Sequence, residues 1–186
     1  DELRDRCKST EALAYRLGAR KTVKYKSNSI QNAVVAGISH DFYKIQNFDL
    51  SSGRYFTQNE TDAGYRIALI GAKIAEGLFP MEEPVGKEIK IAGQKALVIG
   101  VIKQEGESML GLSFDYQVLI PYNFSRYIMD SRSDNADPFI YAKAKPNVSN
   151  AEMMDELTGL LRGIRRLKPM SEPNFALNET SLITKG

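Results

Sequence analysis

The sequence predicts an α+β domain, and three local patterns carry that prediction. Lys21–Tyr25 and Ile30–Gly37 are runs containing Val or Ile on either side of Ser27-Asn28-Ser29, a turn-forming cluster, and together read as a hairpin. Ile67–Ile70 is a short apolar run that passes through Gly71 into Ala72–Phe79, where Ile74, Ala75, Leu78 and Phe79 have helical spacing. Phe139–Lys145, a long helical pattern and Asn174–Asn178 complete a β-α-β unit.

Composition bounds what such a domain serves. The chain has 186 residues, with 25 Lys plus Arg against 23 Asp plus Glu, so the net charge is +2. Basic and acidic residues are interspersed, which excludes the clustered phosphate-neutralising charge that nucleic-acid binding needs. The longest apolar stretches, Ile67–Ala72 and Ala96–Ile102, fall far short of the roughly 18–20 residues of a membrane-spanning helix. The charged start, Asp1 to Arg6, has no apolar core of a signal peptide. The chain is therefore expected to be cytosolic, or a piece of something larger. The single Cys7 cannot form an internal disulfide and is expected to be a buried or half-buried helix residue.

In chain order, Leu3, Cys7, Thr10, Leu13, Ala14 and Leu17 recur near a period of 3.6, so Asp1–Leu17 is expected to be an amphipathic helix ended by Gly18. After the first hairpin, Ser39 is expected to cap a short helix over His40–Gln46, with Phe42 and Ile45 on one side. Pro80, Pro84 and Gly86 break the helix that follows Gly71, and Glu88–Ile91 and Lys95–Ile102 flank Ala92-Gly93-Gln94 as a second hairpin. Gln104–Leu112 reads as a mobile loop, and Phe114–Ile120 as a strand stopped by Pro121. In Phe139–Lys145, Ile140, Ala142 and Ala144 alternate with polar-edged neighbours. Ser149 to Glu152 spells a capping box, Met153, Leu157, Leu160, Ile164 and Leu167 form a stripe, and acids precede bases along that helix as the dipole favours.

Residues that could carry chemistry are few. His40 is the only histidine, and Ser39-His40-Asp41 has no nucleophile turn to make it a triad, so it reads as a helix start. No paired Cys/His spacing or EF-hand pattern points to a metal. Gly71 follows a strand and opens a helix but lacks the endings of a P-loop or dinucleotide site, so it reads as a tight turn. The N-x-[ST] tripeptides at Asn59, Asn123, Asn147 and Asn178 read as chance.

Several motifs occur in one order: Val35-Ala36-Gly37-Ile38 with Phe42-Tyr43, Gly53-Arg54-Tyr55-Phe56, Ile67 to Gly71 with Leu78-Phe79, Pro84-Val85-Gly86-Lys87, Val98 to Val101, and Val118 to Pro121. Together they resemble the MacB-like periplasmic core domain of ABC transporter permeases of the MacB/FtsX/LolC type. Residue by residue the motif positions Gly53, Arg54, Phe56, Gly71, Phe79, Pro84, Gly86, Lys87, Gly100 and Pro121 read as structural, with Gly53 and Gly86 giving backbone freedom and Gly100 marking a bulge or close contact. No catalytic residue, cofactor or metal is expected.

The resemblance implies two lobes: a discontinuous porter-like lobe of β-α-β units over residues 1–50 and 135–186, and a strand-rich lobe inserted at 51–134. It implies a domain on the periplasmic side of the bacterial cytoplasmic membrane, between two membrane helices, with Asp1–Leu17 continuing the first. The implied work is transmission of ATP-driven conformational change for efflux or export. The implied partners are its own membrane helices, a second permease protomer, a cytoplasmic ATPase and a periplasmic adaptor. Two other readings stand beside it: an FtsX-like regulator of a cell-wall hydrolase, and a free-standing periplasmic binding module. Met109, Leu110 and Leu112 read either as a partner or dimer contact or as a loop folded onto the second lobe.

Overall fold

The computed structural model describes residues 6–105, 113–129, 138–167 and 174–177. In chain order the elements are β1 (Thr10–Tyr25), β2 (Asn28–Ile38), α1 (Phe42–Ile45), β3 (Leu50–Gly53), α2 (Gln58–Ala63), β4 (Ile67–Ile70), α3 (Ala72–Leu78), β5 (Glu88–Ile91) and β6 (Gln94–Ile102). A 3-10 turn (Phe114–Tyr116) follows, then β7 (Gln117–Pro121), α4 (Tyr122–Ser125), β8 (Pro138–Ala144), α5 (Asn150–Leu167) and β9 (Asn174–Leu177). The fold class is α+β, built on one mixed sheet.

The strand pairings close on themselves. From β1 the ladder passes antiparallel to β2, parallel to β7, antiparallel to β4, parallel to β6, antiparallel to β5, and from β5 antiparallel back to β1 at Val23 and Lys24. The ring thus joins β1 and β2 to four strands from the middle of the chain, while β3 lies outside it on β6. The first half of β1 pairs antiparallel with β8, from Thr10 opposite Ala144 to Leu17 opposite Pro138, and β8 pairs parallel with β9. β1, about 50 Å long at strand rise, therefore runs through both the ring and the β8-α5-β9 unit.

Three apolar clusters follow this layout. One includes Val23, Val35, Ile70, Ile89, Ile91, Val98, Val118 and Ile120 from the ring strands, with Ile74 and Leu78 of α3. A second collects the opposite faces of the same strands, Ala36, Ile38, Leu69, Ile99 and Leu119, with Phe42, Phe56 and Phe114. The third joins Leu13, Ile140 and Ala142 to Met153, Leu157 and Leu161 of α5, and includes Cys7.

The sequence reading of Asp1–Leu17 as a helix is corrected for residues 10–17, which are strand; residues 1–5 lie outside the described residues. The reason is burial on both faces. Ala12 and Ala14 belong to one cluster and Leu13 to another, so the apolar residues run together instead of alternating and mimic a helical period. Long-range pairing then overrides the local pattern. Cys7 is buried as expected but stands just before this strand and outside any helix. Phe114–Tyr116 is a 3-10 turn, and the strand begins at Gln117 and includes Pro121. Ser39 does not cap α1, whose N-cap is Asp41 without a side-chain bond; its hydroxyl instead accepts the Tyr15 amide at 2.8 Å.

Candidate functional site

The motif residues converge most closely where β3 crosses β6. Gly53 lies opposite Gly100 in the register. Gly53 has φ +78°, and a Cβ there would sit 2.0 Å from the Ile99 carbonyl oxygen and 2.5 Å from the Gly100 Cα. A Cβ on Gly100 would meet Leu69 Cδ2 at 2.8 Å and the Arg54 carbonyl at 3.0 Å. β6 bulges beside it, since Ala68 faces Val98 while Leu69 faces Gly100. Only two side-chain-free residues allow the backbones to approach this closely.

Arg54 follows directly and turns the crossing into a clamp. Its amide donates to the Ile99 carbonyl at 3.0 Å, and its guanidinium donates to both oxygens of Glu60 at 2.7 and 2.9 Å. Glu60 also accepts the Thr57 amide at 2.9 Å, while the Glu60 amide donates to Thr57 Oγ1, a complete capping box on α2. The Arg54 hydrogen bonds hold the Glu60 carboxyl at about 2, far below its ordinary 4.5. Phe56 is buried beneath. Glu60 and α2 escaped the sequence reading, although Thr57-Gln58-Asn59-Glu60 carries the T-x-x-E signal that would have found them.

The other motif residues are placed apart from this crossing. Gly71 ends β4 against the 3-10 turn: its amide donates to the Gln117 carbonyl at 2.8 Å, and a Cβ would lie 2.0 Å from the Phe114 carbonyl oxygen. Phe79 stacks on Tyr25 with ring centroids 4.2 Å apart. Pro84 to Lys87 form a turn closed by the Lys87 amide on the Pro84 carbonyl, with Gly86 at φ +88° in the third position, where a type II turn takes glycine. Pro121 ends β7 and precedes α4. Met109, Leu110 and Leu112 lie outside the described residues.

A polar cleft of about 700 Å³ opens between β1, the turn from β2 into α1, α2 and α4, lined by Tyr15, Ser39, His40, Asp41, Asp62, Tyr122 and Arg126 among others. It contains all three residues of the Ser39-His40-Asp41 run, but they do not form a relay. Ser39 Oγ holds the Tyr15 amide, and His40 Nδ1 is buried without a hydrogen bond, 3.5 Å from Asp41 Oδ1. The His40 ring instead packs edge-on to Tyr55, whose phenol donates to the His40 carbonyl and whose burial pushes its pKa well above the usual value. Asn123, one of the tripeptide asparagines, donates its side-chain amide to the Asp62 carbonyl at 2.8 Å, a structural use. Among the described residues no group of three or more His, Cys, Asp or Glu is arranged to hold a metal, and no helix is long and apolar enough to cross a membrane.

This fold is shared with extracytoplasmic domains of ABC-type transporters. The extracellular domain of the transporter YknZ from Gram-positive bacteria superposes with a TM-score of 0.71 at 23% identity, over 89% of this chain and 81% of that one. The periplasmic region of MacB from Actinobacillus actinomycetemcomitans also gives 0.71, at 15% identity, over 89% and 72%. The model of the MacB-like periplasmic core domain matches residues 1–160, and the chain belongs to that family.

Among curated relatives, the pyoverdine export ATP-binding/permease protein PvdT of Pseudomonas aeruginosa is 35% identical over 106 residues, 57% of this chain and 16% of that protein. A macrolide export ATP-binding/permease protein MacB of Syntrophobacter fumaroxidans is 26% identical over 155 residues, 83% of this chain and 21% of that protein. The chain spans about a fifth of the length of these relatives.

Proposed function

We propose that the chain is the extracytoplasmic domain of a bacterial ABC transporter permease of the efflux or export type, and that it transmits ATP-driven movement of membrane helices to the periplasmic side. The observation that carries this reading is β1: one 16-residue strand belongs both to the ring and to the β8-α5-β9 unit. A displacement applied at its start near β8 is delivered to the ring through paired backbone, which resists stretching but bends, so the two bodies pivot about the strand. The two lobes are proposed as residues 1–50 with 135–186 and residues 51–134, hinged on the β1-β2 hairpin. ATP hydrolysis belongs to a cytoplasmic ATPase subunit or domain in this reading. The partners are the permease's own membrane helices, a second protomer and a periplasmic adaptor, at the outer face of the cytoplasmic membrane.

The test uses the parent permease with its ATPase in proteoliposomes. Spin labels at the exposed positions 143 on β8 and 97 on β6 report the distance between the two bodies. ATP is expected to shift that distance distribution, and a catalytically dead ATPase to abolish the shift. An unchanged distribution through the ATP cycle sinks the transmission reading. A parent reading frame without an apolar helix on either side of this segment sinks the permease reading itself.

A second reading, a solute-binding module, is favoured by the polar cleft beside His40. A solute at 100 times its dissociation constant would stabilise the domain by about 2.7 kcal/mol, a rise in unfolding temperature that thermal-shift screening detects.

A further inference from the structure

Lys24, Lys90 and Lys95 stand in one row on the outside of the ring. Lys24 is opposite Lys90 in the β1-β5 pairing, and Lys90 is opposite Lys95 in the β5-β6 pairing. Residues opposite in register share a face, so three ammonium groups leave one surface at intervals of about 5 Å. All three residues are exposed, while their neighbours Val23, Ile89 and Ile91 point inward and are buried. Lys24 and Lys90, with Lys26 from the β1-β2 turn, also line an open groove of about 700 Å³ walled by Asn28, Gln31 and the Ala92-Gly93 turn.

Like charges directly opposite each other oppose sheet pairing. Local carboxylates relieve this in part: Lys95, the end member of the row, reaches Glu88 at 3.8 Å, and Lys26 beside the row reaches Glu82 at 3.7 Å, both across open surface. Among the described residues no carboxylate makes an ion pair with Lys24 or Lys90. Lysines often blunt an exposed sheet edge. β5 is no edge, because β1 and β6 pair with it on its two sides. The row therefore costs sheet stability without serving the role that usually accounts for such lysines.

We propose that this row is a docking surface for an acidic helix of a partner protein, lying across the strands beside the groove. On a helix, side chains three or four residues apart stand about 5–6 Å apart, close to the pitch of the lysine row. An extended segment repeats one face only every 6.6–6.8 Å or so, and matches it less well. Neighbouring charges at this spacing lie within the screening length of about 8 Å at physiological salt, so the match survives there. The inference rests on the charge pattern of this chain and stands whether or not the permease reading holds.

The test is a titration of a fluorescein-labelled, alanine-rich helical peptide with the 186-residue chain, read by anisotropy at physiological salt. One peptide carries Glu at i, i+4, i+7 and i+11; a second has the same composition with its Glu residues spread around the helix. The one-faced peptide is expected to bind at least tenfold tighter. Lys24→Glu with Lys90→Glu is expected to weaken it at least tenfold, and Lys24→Gln with Lys90→Gln severalfold with an unfolding temperature no lower than that of the parent chain. The Gln pair carries the test if the Glu pair fails to fold. Equal binding of the two peptides, binding indifferent to the lysines, or no binding of either overturns the proposal. So does binding of the chain to phosphatidylglycerol vesicles without preference between the peptides.

Discussion

Gly53 and Gly86 both have φ near +80°, yet their surroundings differ. A Cβ at Gly53 would strike the Ile99 carbonyl, whereas nothing lies within 4 Å of one at Gly86. Gly86→Ala is therefore expected to cost about 1–2 kcal/mol, the strain of a left-handed residue, and Gly53→Ala about 3 kcal/mol or more, since the β3-β6 crossing must open as well. Urea midpoints of the two variants check the order. The Arg54-Glu60 pair makes a pH prediction. Its folded-state carboxyl titrates at about 2 against an ordinary 4.5, so its stabilisation is complete above about pH 4.5 and is lost as pH falls toward 2. Arg54 is half exposed, which screens the pair to about 1 kcal/mol. Urea unfolding of Arg54→Met and the parent chain from pH 7 to pH 2 is expected to converge at the acid end. Gly53, Arg54 and Gly100 were legible as motif positions; that they meet at one crossing was not, because 46 residues separate Arg54 from Gly100 and only the register brings them together.

The helix α5 starts where its local signals put it, but its buried stripe runs through Leu161, with Leu160 of the expected stripe only partly buried. The Glu152 amide donates to Ser149 Oγ at 3.1 Å, and Met153, Leu157 and Leu161 face β8 and β1. Ser149→Ala is expected to cost about 1 kcal/mol, and Leu157→Ala 2–5 kcal/mol or so through the cavity it leaves. Chemical denaturation measures both. At the far side, Glu156 on α5 accepts the Ser9 hydroxyl and the Lys8 amide at 2.6 Å, which hold its carboxyl below the usual range and tie the helix to the start of β1. β1 is the opposite case. A run buried on both faces has no period-2 signature, and its identity comes from partners as distant as Ala144.

At the scale of the molecule, β1 pairs in both parts of the sheet and so couples their stability. Tyr fluorescence and far-UV circular dichroism are therefore expected to report one unfolding transition, with Leu157→Ala on α5 and Val98→Ala in the ring each lowering the midpoint of both signals. Separate transitions, one moved by each variant, would show that the β8-α5-β9 unit and the ring fold independently.

The sequence by itself determined the α+β class, both hairpins, the strand into α3, the β-α-β end and the family, because turn residues, short periodicities and ordered motifs are properties of neighbours along the chain. Only the tertiary structure decided that the strands close into a ring, that β1 belongs to two bodies, that Gly53 meets Gly100, and that Lys24 stands in a row with Lys90 and Lys95 of a distant hairpin. Each of these depends on register between strands, and register is fixed by which apolar faces find a common interior, a condition that no single segment contains.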